Sequence, residues 1–320
     1  MNISVLGCGR WGSFLSWYFA RQKNDVVLFG NESSKAYQFL KQNGRNEYVE
    51  LNPAILLTSD LEKAVAHSEV IVISINSQGL RELIGRVVKC DPGDRKIILC
   101  MKGIESETCY RLSQVVVESG IKSENVAVWV GPGHIQEFVS GKPNCMVIDS
   151  ENKKLTKYLA DSFKSDLIRF YYGEDLIGSE IGAASKNVIG IVAGMLDGAN
   201  LTTLKGPLMA RGAREVARLV KAMGGNELSA YGLCHLGDYE TTLFSEFSHN
   251  RRFGEAFVKG ERFEKLAEGV MTAKALKGLG EKYNVELPIT NAVYNTLFLN
   301  KDWHDELPKL FGRATRNEFD

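Results

Sequence analysis

The run Gly7-Cys8-Gly9-Arg10-Trp11-Gly12 follows an apolar strand-like segment, residues 3–6, and precedes a stretch of helical length, residues 11–22. No other feature constrains the fold as strongly. A G-x-G-x-x-G turn between a first strand and a first helix needs each glycine for a different reason. The first permits the tight turn, the second lets backbone approach a pyrophosphate, and the third lets helix and strand pack closely. The helix N-terminus then offers unpaired N–H groups and a partial positive charge to phosphate. A dinucleotide site over Gly7, Gly9 and Gly12 is the reading this context supports.

The rest of the first half alternates in the same way. Apolar runs at residues 26–29, 70–75, 97–100, 126–130 and 146–148 are separated by helix-like stretches at 60–66, 80–88 and 108–118. One more helix–strand pair follows at 153–163 and 168–172. Strands alternating with helices imply crossovers and a doubly wound parallel sheet. After residue 173 strand-like runs vanish, and small, apolar and charged residues recur at helical spacing. The expectation is an α/β fold: a Rossmann-like domain over residues 1–173, an all-helical domain over 174–320, and a cleft between them.

Which dinucleotide the first domain takes stays open. An acid ending the second strand would bind the ribose hydroxyls of NAD. Here that strand ends Leu28-Phe29-Gly30-Asn31-Glu32, with Lys35 in reach of a 2′-phosphate. Both NAD and NADP remain candidates.

The second half holds one conspicuous cation. In the run from Ile177 to Gly194, the helical neighbours of Lys186 are Gly182, Ala183, Ile189 and Gly190, none of them charged. A helix apolar nearly all round is a buried one, and lysines are rarely buried without a function. Desolvation lowers an amine's pKa and suits it to exchanging a proton near neutrality. Asn187 beside it is placed to donate to the same ligand.

Other segments belong with this lysine. Lys102-Gly103 follows a strand, at the edge where open α/β sheets bind ligands. Gly131-Pro132-Gly133-His134 ends another strand in the same manner. Asp238, in Leu236-Gly237-Asp238, and the polar run Ser248-His249-Asn250-Arg251 could orient the amine and hold a phosphate. Read alone, Asp238 as a helix cap and Arg251 with Arg252 as a solvated pair are the preferred reading.

Composition removes several classes. Lys plus Arg and Asp plus Glu number 39 each, giving a net charge of zero. That argues against a nucleic-acid or anionic-membrane binder. The apolar strand-like runs are too short to span a bilayer, and the N-terminus lacks the pattern of a secretory signal. Six scattered cysteines without a C-x-x-C pair fit a reducing cytoplasm and no metal site.

Taken together, these segments resemble the NAD(P)-dependent glycerol-3-phosphate dehydrogenases of the soluble, bacterial type, over nearly the whole chain. The resemblance rests on Gly7–Gly12 with Trp11, Lys102-Gly103, Gly131-Pro132, Lys186-Asn187-Val188-Ile189 and Asp197-Gly198. It continues through Ala210-Arg211-Gly212, Leu236-Gly237-Asp238, Asn250-Arg251-Arg252-Phe253-Gly254, Glu268-Gly269-Val270 and Pro288-Ile289-Thr290. It implies reversible hydride transfer between a nicotinamide and dihydroxyacetone phosphate, giving sn-glycerol 3-phosphate for phospholipid synthesis.

The resemblance implies that Lys186 exchanges the proton, with Asp238 beside it. Lys102, Gly131, Gly133, Asn187, Ser248, His249, Asn250 and Arg251 would meet the substrate. Arg10, Trp11, Asn31, Lys102, Ile135 and Glu268 would meet the dinucleotide. Three places depart from the usual pattern: His249 stands where arginine is common, Gly133 where threonine or serine is, and Gly133-His134-Ile135-Gln136 differs from the usual Thr-Phe-Ala segment. A related small hydroxy compound as substrate, and a dinucleotide sensor without turnover, are the competing readings. A homodimer is one assembly compatible with the resemblance.

Overall fold

The computed structural model describes residues 1–312, Ala314, Thr315, Asn317 and Glu318. The chain divides into two compact units: Met1–Met101 with Leu112–Leu176, and Lys102–Arg111 with Ile177–Asp320. The contiguous first domain expected over residues 1–173 is thus interrupted, because Lys102–Arg111 packs with the helical unit.

The first unit begins β1 (Asn2–Leu6), α1 (Arg10–Arg21), β2 (Asp25–Phe29), α2 (Lys35–Asn43), β3 (Leu56–Thr58), α3 (Leu61–His67) and β4 (Val70–Ile73). It continues α4 (Leu80–Lys89), β5 (Lys96–Leu99), α5 (Leu112–Glu118), β6 (Val126–Val130), α6 (Ile135–Val139), β7 (Asn144–Asp149), α7 (Lys153–Phe163) and β8 (Ile168–Tyr172). The sheet order is β3-β2-β1-β4-β5-β6-β7-β8. Strands β1 to β6 pair in parallel, and the order reverses beside β1, the switch point of a doubly wound sheet. Continuous apolar runs form the central strands because both faces are covered: every residue of β4 and β6 is buried.

Three local features differ from the sequence expectation. The edge strand β3 spans only three residues, too short to register as an apolar run. The helix expected from residue 108 begins at Leu112, because Ile104 and Arg111 form a β-bridge that closes a small turn first. Strand β7 runs antiparallel to β6. Helix α6 between them has five residues, roughly 7.5 Å of rise, against about 17 Å for a strand of equal length. It cannot carry the chain back along the sheet, so the chain turns and pairs on the way.

The second unit is built from α8 (Leu176–Gly198), α9 (Lys205–Ala222), α10 (His249–Lys259), α11 (Gly269–Lys282), α12 (Pro288–Phe298) and α13 (Trp303–Phe311). Helix α8 is long and apolar enough to cross a membrane, but 94% of its most apolar window is buried within the protein. Its apolarity is that of a core helix. Helix α10 crosses it in backbone contact. A Cβ on Gly194 would lie 1.8 Å from the Arg251 carbonyl oxygen, and one on Gly254 would lie 2.0 Å from that of Ile191. Glu215, buried on α9, accepts from the backbone N–H groups of Ile289 and Thr290 at 2.7 and 3.0 Å. It thereby caps α12 with a charge of the favourable sign.

Candidate active site

Lys186 lies at the middle of α8 with 6% of its surface exposed. Its Nζ is 2.9 Å from Asp238 Oδ2 and donates to Thr242 Oγ1 at 2.7 Å. Lys102 Nζ reaches the same carboxylate oxygen at 2.8 Å. Two ammonium groups therefore share one oxygen of a carboxylate that is 1% exposed. The other oxygen, Oδ1, accepts from the Thr241 hydroxyl. The cluster carries a net positive charge in a dry place. Lys186 has three N–H bonds, two of them committed, which leaves one for a ligand.

The local fold explains how residues so far apart in sequence meet. Asn187 donates from Nδ2 to the Lys102 carbonyl oxygen at 2.9 Å. Arg111 Nη1 pairs with Glu180 Oε2 at 2.5 Å, both side chains nearly buried. Asn187 and Glu180 are seven residues apart, two turns along one face of α8. The segment Lys102–Arg111 is thus pinned at both ends to the helix that carries Lys186, and this places Lys102 in the helical unit.

The electrostatics follow from burial and neighbours. Desolvation is the largest influence on Lys186 and brings its pKa down to about 8; Asp238 opposes that fall and Lys102 adds to it. Burial alone would raise the Asp238 carboxyl, but the ammonium groups of Lys102 and Lys186 hold it below the usual carboxylate range. The carboxylate stays ionised while the amine is poised near neutrality.

In the same unit, the polar run expected to hold phosphate takes specific places. Ser248 caps α10, its Oγ accepting from the Arg251 N–H. Asn250 Oδ1 accepts from the Gly269 N–H at 2.9 Å. His249 Nδ1 lies 3.3 Å from the Leu266 carbonyl oxygen. Arg251 turns to other partners: its Nε is 3.1 Å from Asp197 Oδ2, in ion-pair but not hydrogen-bond geometry, and Nη1 is 3.0 Å from Glu255. Lys205, 4% exposed, holds Asp197 from the other side at 2.6 Å. Glu268 caps α11, close enough for its charge to act on Lys186.

The first unit contains the glycine turn. Gly7 has φ +116°, in the region that favours glycine. A Cβ on Gly12 would lie 1.7 Å from the Gly7 carbonyl oxygen, so strand and helix meet as the motif requires. Gly9, at the cap of α1, has no side-chain cap, and a Cβ there would meet nothing within 4 Å. Open space faces the N–H groups of the first helical turn, and a pyrophosphate fits that cradle.

Around the turn, the Trp11 ring lies tilted against Phe14 at 5.0 Å and edge-on to Phe138 at 6.3 Å. Arg10 lies over the Tyr48 ring at 4.9 Å. Asn31, just past β2, accepts from Ser33. Ile135 is a core side chain, so only its backbone faces outward to any ligand. Gly131 and Gly133 both have positive φ, and a Cβ on Gly133 would lie 2.4 Å from the Phe138 ring. The space a threonine side chain would need there is filled by that ring.

Residues 2–156 match the family NAD-dependent glycerol-3-phosphate dehydrogenase N-terminus, and residues 175–307 match its C-terminus. The chain belongs to the NAD-dependent glycerol-3-phosphate dehydrogenase family. It is 33% identical to glycerol-3-phosphate dehydrogenase (NAD(P)+) of Bacillus pumilus, over 100% of this chain and 96% of that one. It is 32% identical to the enzyme of the same name from a Thermoanaerobacter species, over 99% of each. The crystal structure of glycerol-3-phosphate dehydrogenase from Coxiella burnetii superposes with a TM-score of 0.90 at 28% identity, covering 97% of this chain and 98% of that one.

In this member of the glycerol-3-phosphate dehydrogenase family the helical unit brings together Lys186, Asp238, Lys102 and Asn187. It joins Arg251 instead to Asp197, Glu255 and, through Asp197, Lys205. Thr242 and Thr241 were not anticipated. Their positions follow from a π-helical turn, Glu240–Phe244, which sequence periodicity does not announce. Lys205 and Asp197 flank a loop and gave no signal at helical spacing.

Proposed function

We propose that this chain reduces dihydroxyacetone phosphate to sn-glycerol 3-phosphate with NAD(P)H, reversibly, and that Lys186 carries the proton. The observation that supports this most is the shared Asp238 oxygen: two ammonium groups held around one buried carboxylate, with one amine lowered to about 8. A nicotinamide, when bound, supplies the hydride.

The chain's own residues do the rest. The remaining N–H of Lys186 points to the ketone oxygen and stabilises the negative charge that develops there. The proton then passes from Nζ to that oxygen, leaving a neutral amine and the alcohol. Lys102 holds Asp238 ionised and adds to the positive field. Asp238 and Thr242 fix the direction of the amine. Solvent reprotonates Lys186 before the next cycle. In oxidation the neutral amine takes the hydroxyl proton instead. Such acid–base assistance contributes about 10²–10⁴-fold.

Phosphate recognition falls to the first turn of α10. Ser248, His249 and Asn250 present backbone and side-chain donors there. Arg251 acts behind them by holding α10 to Asp197. For the cofactor, the cradle at Gly7, Gly9 and Gly12 takes the pyrophosphate, with Arg10, Trp11, Asn31 and Ile135 of the same unit as further contacts. Six free thiols suit the cytoplasm, and the product is the backbone from which glycerophospholipids are made.

Initial rates with a panel of phosphorylated and unphosphorylated ketones test this reading. Consumption of NADH or NADPH with dihydroxyacetone phosphate far above the other ketones supports it. Preference for an unphosphorylated ketone, or binding of NADH without turnover of any, contradicts it.

A further inference from the structure

One buried titratable pair in the helical unit has no part in the chemistry above. His235 and Tyr239 are both 0% exposed. His235 Nδ1 lies 2.9 Å from the Gly182 carbonyl oxygen, and the Tyr239 hydroxyl lies 2.7 Å from His235 Nε2. A carbonyl can only accept, so Nδ1 carries the hydrogen and Nε2 accepts from the tyrosine. Burial drives the imidazole down to about 4 and the phenol well above its ordinary value. Both are uncharged at neutral pH.

Their partners are what matter. In an α-helix the carbonyl of residue 182 accepts the N–H of residue 186. His235 therefore binds the same carbonyl that holds the backbone of Lys186. On the other side, His235 and Tyr239 bracket the short turn Leu236–Asp238, whose last residue is the carboxylate paired with that lysine. The Asp238 N–H closes this turn onto the His235 carbonyl oxygen at 3.0 Å. Gly182 lies so near that a Cβ there would sit 3.1 Å from His235 Cβ.

We propose that His235 and Tyr239 are positioning residues for the reaction: a neutral clasp that fixes the Asp238 turn to the turn of α8 bearing Lys186, and so sets the amine–carboxylate contact and keeps water from it. This rests on the function proposed above. Neither residue touches the reacting atoms. A misplacement of about 1 Å at such a contact can cost about a hundredfold in rate. The groups facing Lys186 are Asp238, Lys102, Thr242 and, through its charge, Glu268. Those facing the clasp are Lys186 and Asp238 at the imidazole and Glu215 at the phenol.

Because both members are neutral, replacing either removes no charge near Lys186. Any change in its titration must come from displacement and entry of water. Entry of water raises its pKa, desolvation being the largest influence, and a longer contact to Asp238 lowers it, so a loosened clasp moves the midpoint away from the wild-type value.

The test compares wild type with Tyr239→Phe, His235→Leu and His235→Asn, the last keeping a donor toward Gly182. Reduction rates are followed from about pH 6 to about pH 10, and the Lys186 nitrogen is titrated by NMR in protein carrying 15N-lysine. Tyr239→Phe and His235→Leu should lower kcat about ten- to a hundredfold, with KM within about twofold. The Lys186 midpoint should shift by about half a pH unit or more, and His235→Asn should recover most of the kcat lost in His235→Leu. If His235→Leu does not fold, Tyr239→Phe, which removes one oxygen, decides alone. A folded variant with lowered Tm but wild-type kcat and wild-type midpoint overturns the proposal. A wild-type protein that never turns over dihydroxyacetone phosphate overturns the function instead, and the NMR midpoint still reads the clasp.

Discussion

Lys186 Nζ lies 2.9 Å from Asp238 Oδ2, and both side chains are out of water. Each group alone would be neutralised by such burial. The pair with Asp238 supports the ammonium, while desolvation first and the neighbouring Lys102 second bring the amine within reach of neutrality.

The pH dependence follows with a definite sign. Reduction needs protonated Lys186, so kcat should hold below about 8 and fall above it. Oxidation needs the neutral amine, so kcat should rise through the same range. Initial rates in both directions across that range check this. Two parallel profiles would contradict it.

Asp238→Asn removes the charge that supports Lys186 as a cation. The amine then faces Lys102 without a counter-charge, its pKa falls further, and the alkaline limit for reduction moves to lower pH. A loss in kcat of about 10²-fold or more is expected, read by initial rates beside a thermal melt. A variant whose limit moves upward would show that the carboxylate acts otherwise.

Gly9 offers a clean test of the dinucleotide cradle. Its φ is −72°, ordinary for any residue, and a Cβ meets nothing. Gly9→Ala should therefore fold with unchanged Tm yet weaken NADH binding about tenfold, because the methyl occupies the space meant for phosphate. Fluorescence titration with NADH reads the loss. Unaltered affinity would remove Gly9 from the site.

The crossing of α8 and α10 predicts a stability contrast. Gly194→Ala puts a methyl 1.8 Å from a backbone oxygen and should cost about 1–3 kcal/mol or more, several degrees in Tm. Gly206→Ala, on α9 with nothing within 4 Å, should be neutral or stabilising by up to about 1 kcal/mol. Equal melts for the two would contradict the packing described.

Much of this was legible in the sequence because it is encoded locally. The glycine turn, the unbroken apolar strands and a lysine with only small or apolar helical neighbours each report a local requirement, and each residue is found where that requirement predicts. What escaped depends on long-range geometry. The reversal of β7 follows from a helix too short to cross the sheet. The capture of Lys102 by α8 depends on Arg111 meeting Glu180, a pairing across 69 positions that no spacing rule marks. The ion pairs of Arg251 also escaped, because Asp197 and Glu255 come from a different helix and from its own next turn.

The central claim is tested most directly by one substitution. Lys186→Ala should leave NADH binding intact and reduce the rate of NADH consumption with dihydroxyacetone phosphate by about 10²–10⁴-fold. A folded variant that keeps the wild-type rate would contradict the account.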